Sequence, residues 1–220
     1  MRYANFLGKT VDINNISFLM EKETCNLLLG LIKALESKDG YTAGHSQRVG
    51  DTAYDFASYI EMNDKERLTL KRAGYMHDIG KIGVRDDVLL KNGKLTDEEF
   101  AVIRSHSEIG FNILKPSIFY QDILDAVRFH HEKYAGGGYP GMVKGNDIPL
   151  FARIISLCDC YDAMNSDRIY RKALSIQKII DIFAQDEFGQ WDIDVKKKFI
   201  QFIKFENIFS ASPIFEVRDI

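Results

Sequence analysis

The sequence predicts an all-α chain folded as a single helical bundle domain, on three observations. Apolar residues recur at spacings of three and four through most of its length, the period of a helix with one buried stripe. Capping-box pairs, which satisfy the orphan N–H groups at a helix start, stand at Asn63 with Glu66 and at Thr96 with Glu99. Only 4 prolines occur in 220 residues, and no Ser/Gly-rich stretch divides the chain, so a flexible boundary between two domains is not expected.

The elements follow in order. Glu21 to Ser37 carries Cys25, Leu28, Leu29, Ile32 and Leu35 on one stripe, and His45 to Glu61 repeats the pattern with Val49, Ala53, Phe56, Ala57 and Ile60. The Asn63 box opens a third helix running through Leu70, Ala73 and His77. Lys91-Asn92-Gly93 marks a turn. The Thr96 box then starts a helix expected to carry Phe100, Ile103, His106, Gly110 and Ile113 until Pro116 ends it. Ile123, Val127, His130 and His131 share one side of the next helix, which stops at Gly136-Gly137-Gly138-Tyr139-Pro140. Phe151 to Asn165, Ser175 to Ala184 and Val195 to Phe205 complete the helices. The opening residues and the Ile208–Ile220 tail show no readable period.

Hydrophobic residues make up 45% and charged residues 28%, an ordinary globular composition. Lys plus Arg number 29 against 32 Asp plus Glu, a net charge of -3. That near-balance argues against affinity for a DNA or RNA duplex or an anionic membrane, both of which favour a basic face. No apolar run approaches the ~20 residues of a membrane span. Cys25, Cys158 and Cys160 make no disulfide framework, and Met1-Arg2-Tyr3-Ala4-Asn5 does not begin a secretory signal. A reducing cytoplasm is the expected location.

All five histidines, His45, His77, His106, His130 and His131, fall at or near the apolar faces of their expected helices. A single histidine there is usually a hydrogen-bonded core residue. Five together are harder to bury, because clustered imidazoles cost free energy unless something neutralises or ligates them, and a metal does so. Divalent cations also require buried carboxylates to balance their charge. Asp78 follows His77 directly, and adjacent helical side chains diverge by about 100°, so the two could serve neighbouring ions. Asp159 and Asp162 share a stripe with Ile155. For Asp162 the favoured reading is hydrogen bonding along the helix face to Arg153, Arg168 or Arg171.

Five segments, in this order, resemble the HD-GYP domain: Gly44-His45-Ser46-x-Arg48-Val49, His77-Asp78-Ile79-Gly80-Lys81-Ile82-Gly83, His106-Ser107-x-x-Gly110, His130-His131-Glu132-x-x-x-Gly136-x-Gly138-Tyr139-Pro140 and Asp159-x-Tyr161-Asp162-Ala163-Met164. The resemblance runs from about Leu28 to Phe202. It implies an HD-superfamily helical bundle with a two- or three-metal centre, often iron or manganese, that hydrolyses cyclic dinucleotides, chiefly cyclic di-GMP and also cyclic GMP-AMP. Carried over by position, His45, His77, Asp78 and Asp159 look like ligands of the first metal. Asp78 would bridge to a second held by His106, His130 and His131. Trinuclear members have a glutamate four residues before the first histidine; Tyr41 stands there, so two divalent ions, iron or manganese, are expected.

The residue types suit that chemistry. Hydrolysis of an anionic diester benefits from a metal pair that clamps phosphoryl oxygens and activates water. Lys81 is placed to reach a phosphate oxygen and steady developing charge, joining Asp78 as a catalytic residue. Gly138, Tyr139 and Pro140 are expected to contact substrate, the tyrosine offering a face for a guanine base and the glycines a close approach. Arg168 and Arg171 match family positions that contact phosphates or guanine, a task for which a guanidinium fork is suited.

The resemblance has departures. The family usually carries aspartate where Ala135 stands, and loss of an orienting carboxylate commonly costs ~10–100-fold in affinity or activity. Trp191-Asp192-Ile193-Asp194 follows the family only loosely. Residues 1–20 are expected to be an N-terminal extension whose structure the sequence does not define, 21–205 the HD-GYP catalytic domain and 206–220 a C-terminal tail. With about 25 residues before the core helix, no separate sensory module is expected ahead of it. The N-terminal helix would either join the core or pair with a second copy or a signalling-protein partner, as similar helices do in the family. The sequence-level expectation is therefore a phosphodiesterase yielding linear pGpG, with or without a further step to GMP. The rival is a catalytically weakened HD-GYP module that binds the nucleotide or another protein, which Ala135 favours and seven intact candidate ligands oppose. A related mononucleotide phosphohydrolase is disfavoured by the Gly-Tyr-Pro loop.

Overall fold

The computed structural model describes residues 3–6, 9–38, 43–167 and 171–210. Ten α-helices occur among them. They are α1 (Ile13–Lys38), α2 (His45–Tyr59), α3 (Asp64–Met76), α4 (Asp86–Leu89), α5 (Asp97–Arg104), α6 (His106–Leu114), α7 (Leu124–Phe129), α8 (Leu150–Asn165), α9 (Ile176–Gln185) and α10 (Ile193–Ser210). The architecture is the all-α bundle that the periodicity predicts. A small antiparallel hairpin, β1 (Tyr3–Phe6) with β2 (Lys9–Asp12), precedes it, with Tyr3 opposite Asp12 and Phe6 opposite Lys9. Helix α1 begins at Ile13, earlier than its readable stripe, and α10 runs past Phe205 to Ser210.

Three helices make the centre. Val49, Ala53, Phe56 and Ala57 of α2, Leu70, Ala73 and Met76 of α3, and Ile154, Ile155, Leu157 and Cys158 of α8 have no measurable exposure. Gly50 of α2 and Gly74 of α3 let those two backbones approach closely, since a Cβ on Gly74 would fall 2.5 Å from Gly50 Cα, and the packing brings His45 at the start of α2, His77 after α3 and Asp159 of α8 together. Phe199 and Phe202 of α10 close the opposite side against Phe56, the Phe56 and Phe199 rings meeting edge-on at 4.9 Å. On α1, Ile32 is buried in the core while Leu19, Met20, Leu27 and Leu31 lie exposed.

Both capping boxes are formed as the sequence predicts. Asn63 and Thr96 each accept from the backbone of the residue three positions on, and Glu66 and Glu99 reach back. One expected helix is two: the segment from Phe100 to Ile113 breaks at Ser105, whose hydroxyl donates to the Val102 carbonyl and competes with the continuing ladder. Helix α2 receives its cap from elsewhere. Its N-cap, Gly44, has a left-handed backbone and no side chain, and the buried carboxylate of Glu36 on α1 accepts from the N–H groups of Gly44 (2.8 Å) and Ser46 (2.9 Å). An anion at a helix N-terminus also complements the helix dipole. No helix among the described residues is long and apolar enough to cross a membrane.

Candidate metal centre

Helix ends supply most of the site. His45 opens α2, His77 follows α3 with Asp78 next to it, His106 opens α6, and His130 follows α7 with His131 next. Asp159 comes from the middle of α8. Terminal carbonyls of a helix lack partners within it, and three of the imidazoles use them. The Nδ1–H of His77 donates to Gly74 (2.7 Å), that of His106 to Ile103 (2.8 Å) and that of His130 to Val127 (2.8 Å). His106 can do this because the helix breaks at Ser105. A carbonyl only accepts, so each ring carries its proton on Nδ1 and turns an Nε2 lone pair inward.

These rings and two carboxylates form two adjoining groups, Asp78 with His106, His130 and His131, and His45 with His77 and Asp159. Within each group one ligand atom per residue lies within 4.8 Å of every other. Asp78 stands between them. Its Oδ1 is 3.3 Å from His106 Nε2, and its Oδ2 is 3.3 Å from His77 Nε2 and 3.9 Å from His45 Nε2. Asp159 Oδ1 lies 3.2 Å from His45 Nε2 and 4.0 Å from His77 Nε2. Gly80 makes the junction between the groups possible: a Cβ there would fall 1.8 Å from the His106 carbonyl oxygen and 2.4 Å from Gly110 N. The glycine lets the 3-10 helix Ile79–Gly83 lie on the start of α6 and carries Asp78 to His106.

The electrostatics divide the groups in the same way. Burial, reinforced by neighbouring imidazoles, holds His130 well below the ordinary histidine range, and burial lowers His106 and takes His131 down to about 4. These three rings are neutral at pH 7, the state a metal ligand requires. His45 goes the other way. Burial opposes its charge, but hydrogen bonds to Asp159 and Asp162 outweigh burial and push it up to about 10. Burial of Asp78 and Asp159 is likewise outweighed by cationic and imidazole neighbours, foremost Lys81 for Asp78 and His45 for Asp159, and both carboxyls sit below their usual range.

Two features test whether a cation fits. The Nε2 atom of His77 is fully buried and has no hydrogen-bond partner among the described residues. The Nε2 atoms of His106 and His130 are 3.4 Å apart, and with both protons committed to carbonyls the two lone pairs face one another. Buried, unpartnered acceptors are costly, and a divalent ion among them removes that cost. An imidazole and carboxylate donor set is also one that first-row transition metals accept. The cluster is compatible with divalent metal binding.

A family profile described as HD domain matches residues 30–195. The chain belongs to the HD domain family. Within it the chain falls with the HD-GYP proteins, as its motifs imply. It is 39% identical over 169 residues to a cyclic di-GMP phosphodiesterase response regulator of Xanthomonas campestris, a match covering 75% of this chain and 44% of the relative. It is 37% identical over 154 residues to a 3′3′-cGAMP-specific phosphodiesterase of Vibrio cholerae, covering 70% of this chain and 34% of the relative. The chain thus spans less than half the length of either. Among solved structures, the phosphodiesterase HD domain of Listeria monocytogenes in complex with cyclic di-AMP aligns with a TM-score of 0.58 at 23% identity, over 86% of this chain and 99% of that one. An HD-GYP protein of Bdellovibrio bacteriovorus aligns with a TM-score of 0.60 at 16% identity, over 84% and 61%. Both are likenesses of fold.

The other residues singled out in the sequence take varied places around this HD domain's cluster. Lys81 directs Nζ to Asp78 Oδ2 at 2.5 Å and is partly exposed at the rim. The ring of Tyr139 stacks on His131 with centroids 4.8 Å apart, and burial raises its phenol above the usual range. Pro140 follows through a cis peptide bond. Gly138 makes its close approach to the protein's own chain, since a Cβ there would come within 2.4 Å of Glu132 Cα. Arg171 is exposed and donates to the Ala163 carbonyl, 2.5 Å away. Arg168 and Tyr41 lie outside the described residues.

Among the described residues, Asp162 is not partnered by Arg153 or Arg171, and the third candidate, Arg168, lies outside them. Arg153 pairs with Asp192 instead. Asp162 accepts from His45 Nδ1 at 2.7 Å and takes a two-point grip from Arg48, Nε to Oδ1 at 2.6 Å and NH2 to Oδ2 at 3.0 Å. The signal was present, because Arg48 stands three residues after His45 in the first motif. Glu132 was also passed over as a working residue. It is buried and accepts from Gly141 N at 2.6 Å, tying the loop after Pro140 back to the paired histidines.

Proposed function

We propose that this chain is a metal-dependent phosphodiesterase that hydrolyses a cyclic dinucleotide, cyclic di-GMP foremost, to linear pGpG, with or without further cleavage to GMP. The observation that carries this reading is the position of Asp78, with one oxygen 3.3 Å from His106 Nε2 and the other 3.3 Å from His77 Nε2. A carboxylate between two sets of acceptors is what a pair of ions requires. His45, His77, Asp78 and Asp159 would hold one divalent ion, and Asp78, His106, His130 and His131 a second, with iron or manganese as the metals. When bound, such a pair supplies Lewis acidity and offsets the charge of the diester.

The chain's own residues do the rest. Lys81, at the rim beside Asp78, presents its ammonium to a phosphate oxygen and steadies negative charge as it grows. Tyr139, fixed by its stack on His131, would meet the nucleotide through its hydroxyl and ring edge, with Gly138 and Pro140 shaping the loop that carries it. Arg168 and Arg171, which match family positions that contact the ligand, would bind phosphate or guanine. Relatives named as cyclic di-GMP and 3′3′-cGAMP phosphodiesterases support this substrate class. Residues 21–205 form the catalytic unit of this proposal, flanked by 1–20 and 206–220.

A second reading, a nucleotide-binding or protein-interaction effector of weakened activity, draws on Ala135. Its methyl replaces the family's aspartate, and its N–H is bonded to the Gly189 carbonyl at 2.9 Å. The loop keeps the Glu132 tether, however, and the seven candidate ligands converge, which favours turnover. Metal analysis of anaerobically purified protein, combined with turnover of cyclic di-GMP and cyclic GMP-AMP, tests the choice. About two transition-metal ions per chain and a linear dinucleotide product are expected. Tight binding with metals present and no cleavage would establish the effector reading instead.

A further inference from the structure

We propose that Arg104 is a substrate-binding residue that grips the second, non-reacting phosphodiester of the cyclic dinucleotide. This deepens the reading just given and rests on it. Arg104 ends α5, two residues before His106, and its side chain is exposed. Its guanidinium carbon lies 4.4 Å from the centre of the Phe100 ring and 5.3 Å from that of Tyr139. Tyr139 in turn stacks on His131 at 4.8 Å and meets His106 edge-on at 6.4 Å. Arg104 is therefore one ring away from the histidine side of the centre.

Its partners are unusual for a surface arginine. It makes no ion pair with a carboxylate among the described residues, whereas Arg48, Arg67, Arg72, Arg85, Arg128 and Arg153 each do and Arg171 is held by the Ala163 carbonyl instead. Aromatic faces attract the cation without using its in-plane N–H donors, and they restrict a long side chain in advance. The result is a positioned fork of donors still available for an anion, and phosphate is the anion whose geometry such a fork matches.

The placement matches the shape of the substrate class. A cyclic dinucleotide carries two phosphodiesters on opposite sides of its ring. When one meets the Asp78 and histidine cluster, beside Lys81, the other must rest at the rim. Lys81 marks the Asp78 side and Arg104 the His131 side, so each phosphate has its own cation.

The test compares metal-loaded wild type with Arg104→Ala and Arg104→Lys on cyclic di-GMP, cyclic GMP-AMP and bis(p-nitrophenyl) phosphate. The last is a diester with a single phosphate. In Arg104→Ala we expect KM for both cyclic dinucleotides to rise about ten-fold, the scale of one charge-assisted hydrogen bond, with kcat little changed. Cleavage of bis(p-nitrophenyl) phosphate should be unaltered, and KM should depend less steeply on salt than in the wild type. Arg104→Lys should recover part of the loss. An equal loss on the single diester, a loss confined to one cyclic dinucleotide, or no change at all would overturn the assignment. Wild-type protein that cleaves bis(p-nitrophenyl) phosphate but neither cyclic dinucleotide would instead overturn the function on which it stands.

Discussion

The Nδ1–H of His45 donates to Asp162 across 2.7 Å, and that bond turns Nε2 of the same ring to within 3.2 Å of Asp159. Asp162 is itself fixed by Arg48, so ring, carboxylate and guanidinium form one chain of support. Partners of this kind orient a ligand histidine and make it a better donor, and losing one typically costs ~10–100-fold in metal affinity. Asp162→Asn should therefore weaken metal binding at the His45 group by about that factor while the His106 group keeps its affinity. Competition titration against a chelating dye separates the two. Unchanged affinity at both would remove the orienting role from Asp162.

Asp78 has a different failure mode, because it faces both groups. Asp78→Ala should abolish retention of both ions and all cyclic dinucleotide hydrolysis, where Asp162→Asn affects one. Elemental analysis after gel filtration reads the metals, and chromatography of the nucleotide products reads the activity. Undiminished hydrolysis in Asp78→Ala would eliminate the bridge.

The opposed shifts within the cluster predict unequal pH dependence. His45, pushed up to about 10, is protonated in the metal-free protein at neutral pH, so an ion entering its group must displace that proton. His106, His130 and His131 are already neutral and release none on binding. Affinity at the His45 group should rise about ten-fold per pH unit between pH 7 and 9, while that of the other group stays flat. Calorimetry in buffers of different ionisation enthalpy measures the release directly, with about one proton per chain from His45 expected. The same shift fixes a stability trend for the metal-free chain. A histidine raised above its free value of 6.5 stabilises the fold fully below that pH, and the contribution is lost as pH climbs through about 10.

How legible all this was depends on whether a feature is local. Capping boxes at Asn63 and Thr96 are readable because donor and acceptor lie three residues apart. The convergence of seven candidate ligands was readable because each sits in a motif whose order the resemblance supplied. Glu36 was not readable: it caps a helix that begins after a left-handed glycine, and no spacing rule links a residue on one helix to the start of the next. The break at Ser105 was hidden by an apolar stripe that continues across it from Ile103 to Ile113. The partnership of Asp162 with His45 spans 117 positions, and the nearer arginines on its own helix face and beyond made a plausible local alternative.

Gly80 offers the sharpest test of how packing makes the centre. Substitution by alanine would place a methyl group 1.8 Å from the His106 carbonyl oxygen and 2.4 Å from Gly110 N, and both obstacles are backbone atoms that cannot swing aside. The 3-10 helix must then lift away from α6, which both loosens the core and draws Asp78 from His106. Overpacking of this kind costs about 1–3 kcal/mol, and Gly80→Ala belongs at the upper end because no side chain can absorb the strain. Gly137 provides the control. Its φ of +80 makes alanine strained there, but a Cβ would meet nothing within 4 Å, so Gly137→Ala should cost only about 1 kcal/mol. Urea unfolding of the metal-free proteins ranks the two. Binding isotherms taken well below each midpoint should then show Gly80→Ala losing metal affinity while still folded, whereas Gly137→Ala keeps it. Wild-type metal affinity in folded Gly80→Ala would mean that the contact between the 3-10 helix and α6 does not set the separation of Asp78 and His106.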